Sequence, residues 1–177
     1  HPPYMVSEPW ASMYRPDDMI PGELTPGEHD RNPAHFGMTQ ESHPPFRDTY
    51  FEDFTIHGFH SHRHSRADLQ RDMAIYYGMI SFMDQEIGRI LDALDRHGLA
   101  RNTLVVFSTD HGHFLGQHGL IAKGAFHYED MIRVPFLVRW PGRAPEGAVN
   151  AAIQNLVDLP PTFLDAAGLA VPGIMTG

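Results

Sequence analysis

Between Met73 and Leu94, apolar side chains return every three or four residues: Met73, Tyr76, Tyr77, Ile80, Met83, Ile87, Ile90, Leu91 and Leu94. That spacing lays one apolar stripe along a helix. Ser65, with Asp68 three residues on, supplies a start and Gly98 a stop, so the pattern predicts a helix over 66–97. A helix of that length must cover its stripe with another layer, and the next segments suggest a sheet. TLVVFST (103–109) and VPFLVRW (134–140) are continuous apolar runs of strand length. Such runs are typical of strands buried on both faces in a parallel sheet. VDLPPTFLDAAG (157–168) then reads as a short helix, with Asp158 near its cap, proline in its first turn and Gly168 at its end. Helix, strand, polar loop, strand, helix is α/β order, which places ligands at the carboxyl ends of strands.

The segment before this core is different. Prolines at 2, 3, 9, 16, 21, 26 and 33 rule out long helices there. Residues 1–65 therefore read as an extended, loop-rich segment with at most a short helix, and its aromatic content argues that it orders against something larger. The 177 residues suffice for one core and are short for two. The expected organisation is one domain over 1–177, with 1–65 loop-rich and 66–177 forming the α/β core. A net charge of −9 argues against nucleic acid or an anionic membrane surface as partner. An anionic substrate would need a local cluster of cations or a metal. No run approaches 18 apolar residues, and HPPYMVSEPW does not read as a signal peptide, so a start on His rather than Met suggests a processed chain or an excised fragment. The compartment stays open. The four histidines of HGFHSHRHS, His57, His60, His62 and His64, are irregularly spaced and read as a solvated loop.

The chemistry concentrates in STDHGHFLGQHGLIAKG, residues 108–124. Asp110 follows directly on the first apolar run and is followed by His111 and Gly112, which would make the turn flexible. A carboxylate beside an imidazole can offer two ligands to one hard divalent cation such as Ca²⁺, Mg²⁺ or Mn²⁺. Lys123, 13 residues after Asp110, can neutralise an anion held at such a metal. On spacing alone the alternative stands equal: Asp110 caps a turn and Lys123 is solvated. His127 and Tyr128, shortly after Lys123, are candidates for substrate contact.

Several motifs in order resemble the sulfatase family of the alkaline-phosphatase-like superfamily: a helix ending in GRILDAL, a strand, TDHGHFLGQHG, KGAFHYED, IRVPFLVRWPG and DLPPTFLDAAG. HPPY at the start is similar to the His-x-Pro segment of these enzymes. The resemblance implies an α/β alkaline-phosphatase-like sandwich with a mainly parallel central sheet, and hydrolysis of sulfate esters at a divalent metal, calcium foremost. By that resemblance Asp110 and His111 are metal ligands, Lys123 bridges sulfate and nucleophile, and His1 binds the sulfate. His118 matches a recurring position without an assigned role, and His113 reads as a bystander.

The family's nucleophile is a formylglycine made from Cys or Ser in a Cys/Ser-x-Pro-x-Arg motif. This chain has no cysteine, and SEPWA at Ser7 and SHPPF at Ser42 both lack the arginine. The aspartate pair Asp17–Asp18 lies in a Pro-rich loop after His1, on the wrong side for the family's metal site. The expectation is a partial domain, the central-to-late part of the catalytic unit, inactive alone, with formylglycine in a preceding segment. The expected partner is a sulfated small molecule or saccharide, and unpaired sheet edges favour self-association. The alternatives are a phosphonate or phosphodiester hydrolase of the same superfamily and a non-catalytic scaffold module.

Overall fold

The computed structural model describes residues 3–42, 58, 61 and 64–177. Among these described residues, four helices and four strands follow one another: α1 (Ala34–Met38), α2 (Arg66–Arg96), β1 (Val105–Ser108), β2 (Phe114–Leu115), β3 (Ile121–Ala122), α3 (Glu129–Ile132), β4 (Phe136–Arg139) and α4 (Leu159–Ala166). Short 3-10 turns link them.

Helix α2 begins where the sequence says it should. The Ser65 hydroxyl oxygen accepts the Asp68 N–H at 3.2 Å, and the Asp68 carboxylate accepts the Ser65 N–H at 3.0 Å, a closed capping box. The loop-rich N-terminal segment packs on the first half of α2 through aromatic edges. Trp10 meets Phe82 at 4.9 Å between ring centroids, Tyr14 meets Tyr77 at 5.6 Å, and Tyr4 meets Tyr76 at 5.9 Å. The crossing needs Gly78: a Cβ there would lie 2.1 Å from the Trp10 carbonyl oxygen. The apolar stripe is covered unevenly, since Ile80, Met83 and Ile90 stay exposed while Ala74 and Gly78 are buried.

The two apolar runs do form strands, but their pairing departs from the expectation of parallel neighbours. β1 and β4 pair antiparallel, with Val105 opposite Arg139 and Ser108 opposite Phe136. Each β1 residue is half-buried, not enclosed on both faces. An apolar run carries no information about strand direction; the connection decides it. Parallel neighbours need a long crossover, commonly helical. The path from β1 to β4 instead contains only the β2–β3 hairpin and the four-residue α3, and it returns the chain antiparallel. At the C-terminal end, α4 carries proline in its first turn and stops before Gly168 at φ +72°, as its residues predict.

The tightest core lies inside the stretch that reads as a polar loop. Phe114, Leu120, Phe126 and Met131 cluster with Phe36 of α1, with Tyr128 packed against them. Phe114 and Leu120 are 0% exposed. β2 and β3 form a small antiparallel hairpin, Phe114 opposite Ala122 and Leu115 opposite Ile121. Its loop turns on left-handed residues Gly116, His118 and Gly119, at φ 100°, 59° and 67°. Gly22 of the N-terminal segment donates its N–H to the Leu115 carbonyl at 3.2 Å, fastening that segment to the hairpin.

Candidate active site

Asp110 lies just past the C-terminal end of β1, where open α/β sheets present ligand groups. Its Oδ1 is occupied locally, accepting the Thr109 hydroxyl at 3.2 Å and the His111 N–H at 3.0 Å. Its Oδ2 faces the His111 ring, 3.4 Å from Nε2. His111 Nδ1–H donates to the Gly112 carbonyl at 2.7 Å, which leaves Nε2 carrying the lone pair. Lys123 Nζ donates to that lone pair at 3.1 Å. One carboxylate oxygen, one imidazole nitrogen and one ammonium thus converge. Slight burial raises the Asp110 carboxyl, but His111, the Thr109 hydroxyl and the backbone N–H outweigh it and hold the group below the usual carboxylate range. Asp110 is ionised at neutral pH.

Two backbone devices aim these side chains. Gly112 is required by close approach, not flexibility, which corrects the reading of a flexible turn. A Cβ there would lie 1.6 Å from the Asp130 carbonyl oxygen, and the Gly112 N–H donates to the Met131 carbonyl at 2.8 Å. The turn carrying Asp110 and His111 therefore rests directly on α3. At the end of β3, Ala122 takes a left-handed conformation at φ +54°, which redirects the chain so that Lys123 comes back towards His111. The Lys123 carbonyl accepts the Gly58 N–H at 3.0 Å, fixing that bend.

Asp110, His111, Lys123 and His127 line one open groove of about 620 Å³, with Asn155 and Leu156 on its far wall. Of the sequence candidates, Asp110, His111, Lys123 and His127 thus share a site; Tyr128 does not line it and packs against the core and the His118 ring instead, and His1 lies outside the described residues, as do His57, His60 and His62. Among the described residues no set of three or more His, Cys, Asp or Glu side chains gathers for a metal. The donors present nevertheless fit one. An ionised carboxylate oxygen and an imidazole lone pair 3.4 Å apart are spaced as two neighbouring ligands of one divalent cation with bonds of about 2.0–2.6 Å.

The other two histidines of the stretch take separate roles. His113 turns away to stack on Tyr76, 5.5 Å between centroids and 9° between planes, and its Nε2 accepts from the Tyr4 hydroxyl. Burial, helped by nearby positive charge such as that of Lys123, pushes its imidazole down to about 4, so it packs as a neutral ring. His118 lies under the site between Glu28 and Asp130. Neither of those carboxylates carries a sequence signal: Glu28 sits in a Pro-rich loop and Asp130 on a helix of four residues.

With this geometry in view, the likeness to known proteins is specific. The family profile described as Sulfatase matches residues 27–169. Over 108 residues, 61% of this chain, the sequence is 40% identical to N-acetylglucosamine-6-O-sulfatase of Bacteroides thetaiotaomicron, covering 19% of that protein. Phosphonate monoester hydrolase from Silicibacter pomeroyi superposes with a TM-score of 0.77 at 29% identity, over 100% of this chain and 34% of that one. A protein solved in complex with its substrate D-glucosamine-2-N,6-O-disulfate gives 0.60 at 38% identity, over 63% of this chain and 22% of the other. The chain therefore spans between about a fifth and a third of the length of these proteins.

Proposed function

This chain belongs to the sulfatase family, and we propose that it is the part of a sulfate-ester hydrolase that presents two metal ligands and the anion-binding lysine. The observation that carries this reading is the convergence of Asp110 Oδ2, the His111 Nε2 lone pair and Lys123 Nζ within 3.4 Å of one another's partners in one groove. In the intact protein Asp110 and His111 hold a divalent metal, Ca²⁺ by the hardness of the carboxylate donor. When bound, that metal supplies Lewis-acid screening of the sulfate oxygens. His111 cannot give one lone pair to Lys123 and to a ligand site at once, so Lys123 is released to donate to the anion. There its charge offsets the negative charge that grows on the sulfate oxygens as the ester bond breaks. His127, exposed on the groove wall, contacts the substrate, and His1 binds the sulfate and assists the leaving group. The 177 residues hold no Cys/Ser-x-Pro-x-Arg motif, so the formylglycine belongs to another segment of the parent protein.

The substrate class follows from the comparisons. A sequence match is named for a sulfated amino sugar and a structural match was solved with a disulfated glucosamine, which supports a sulfated saccharide here. A phosphonate monoester is the second reading, favoured by the superposition over 100% of this chain on a phosphonate monoester hydrolase. The deciding experiment assays the full-length protein on an aryl sulfate and an aryl phosphonate side by side, with Ca²⁺ binding measured by calorimetry. The expected result is faster sulfate turnover, with both turnover and stoichiometric metal lost in Asp110→Ala. Metal retained by that variant would overturn the ligand assignment, and faster phosphonate turnover would transfer the site to the second reading.

A further inference from the structure

We infer that His118 is a positioning residue for the metal-ligating turn, acting through Asp130 and the backbone of α3. This role rests on the reading of Asp110 and His111 as metal ligands. His118 bonds a carboxylate at each ring nitrogen: Nδ1 meets Glu28 Oε1, and Nε2 meets Asp130 Oδ2 at 3.0 Å. Ionised carboxylates only accept, so each ring nitrogen is placed to donate to one of them. Glu28 fits this picture. Burial raises its carboxyl, but the hydrogen bond and charge of His118, with the Thr25 N–H, hold it below the ordinary range. The ring also lies flat on Tyr128, 3.6 Å between centroids and 5° between planes. The backbone of His118 sits in the left-handed region at φ +59°, ψ +20°, uncommon for a side chain other than glycine. Its carbonyl accepts His29 Nε2–H at 3.0 Å.

What these bonds fix is α3. That helix has only four residues and no side-chain cap, so its placement must come from tertiary contacts. Tyr128, the residue before it, is stacked under His118 and held by Asn32 Nδ2–H on its hydroxyl at 2.7 Å. Asp130, inside it, is held by His118. The same two residues of α3, Asp130 and Met131, carry the carbonyls on which Gly112 rests. A continuous path therefore runs from Glu28 through His118 and Asp130 to Gly112, and Gly112's carbonyl in turn orients the His111 ring. The loop-rich N-terminal segment sets the height of the ligand pair by this path.

The test uses the full-length protein, with Ca²⁺ affinity by calorimetry, kcat and KM on an aryl sulfate, and Tm without metal. His118→Phe keeps a flat ring against Tyr128 and deletes both donors. Asp130→Ala cuts the same path without touching the left-handed backbone, so one variant remains informative if the other fails to fold. Asp130→Asn keeps an acceptor for His118 Nε2–H. The expected result is Ca²⁺ affinity and kcat lowered about 10- to 100-fold in His118→Phe and Asp130→Ala with KM little changed, and largely restored in Asp130→Asn. A loss of Tm alone, with Ca²⁺ affinity and kcat within twofold of the parent, would overturn the role and leave His118 a fold residue. If the unmutated protein binds no Ca²⁺ and hydrolyses no sulfate ester, the metal reading itself falls, and the positioning role with it.

Discussion

The rim of the groove and the layer beneath it are built from the same kinds of residue and treat them in opposite ways. On the rim, Asp110 is exposed with Oδ2 beside the His111 ring, and the His111 Nε2 lone pair accepts from Lys123. Beneath, His118 spends both nitrogens on carboxylates, its ring face on Tyr128 and its carbonyl on His29. The rim groups meet one another at the edge of an open groove, whereas His118 has both ring nitrogens and its carbonyl paired, and leaving such partly buried polar groups unpaired would be costly. The contrast separates three histidines within eight residues: one open to the groove, one neutral between tyrosines, one clamped between carboxylates.

Three substitutions break or sharpen this contrast. Lys123→Ala alters only the rim, and kcat/KM on a sulfate ester should fall about 100- to 1,000-fold with Tm nearly unchanged. An equally large loss of Tm would show that Lys123 supports the fold and would erase the distinction. Gly112→Ala attacks the junction between the two layers. With a Cβ 1.6 Å from the Asp130 carbonyl, the turn and α3 must separate, so calorimetry should find Ca²⁺ bound about tenfold more weakly and Tm lowered together. Unchanged Ca²⁺ affinity would mean the turn holds its ligands without α3. Ser65→Ala is remote from both layers and should cost about 1 kcal/mol in urea unfolding, with kcat unaffected. Its pH signature has a definite sign. Hydrogen bonds from Ser65 hold the Asp68 carboxyl below its ordinary 3.8, so this contribution is complete above that value and disappears as pH falls through the lower folded-state value. The parent's stability advantage over Ser65→Ala should therefore shrink in strong acid; an advantage that grows on acidification would refute the cap.

Most of the regular elements were legible in the sequence because their signals are local. Periods of three and four gave α2, a capping pair gave its start, and proline and glycine bracketed α4. The Asp-His pair and Lys123 were legible as chemistry for the same reason, being close in sequence and unusual in type. The β2–β3 hairpin was not, since two-residue strands amid histidines and glycines have no period to detect, and their burial depends on Phe36 from far away. Glu28, Asn32 and Asp130 were equally invisible: each matters through a partner that only folding brings near.

By itself, then, the sequence determined the places of α2, β1, β4 and α4, which residues carry reactive groups, and the family to which the motifs belong. Tertiary structure alone decided the antiparallel pairing of β1 with β4, the burial of Phe114 and Leu120, the close packing that makes Gly112 necessary, and the different surroundings of His111, His113 and His118. The physical reason is range. Backbone propensity and capping act over three or four residues, but strand direction, desolvation and the partner that fixes an imidazole's protons are set by segments as far apart as Glu28 and His118.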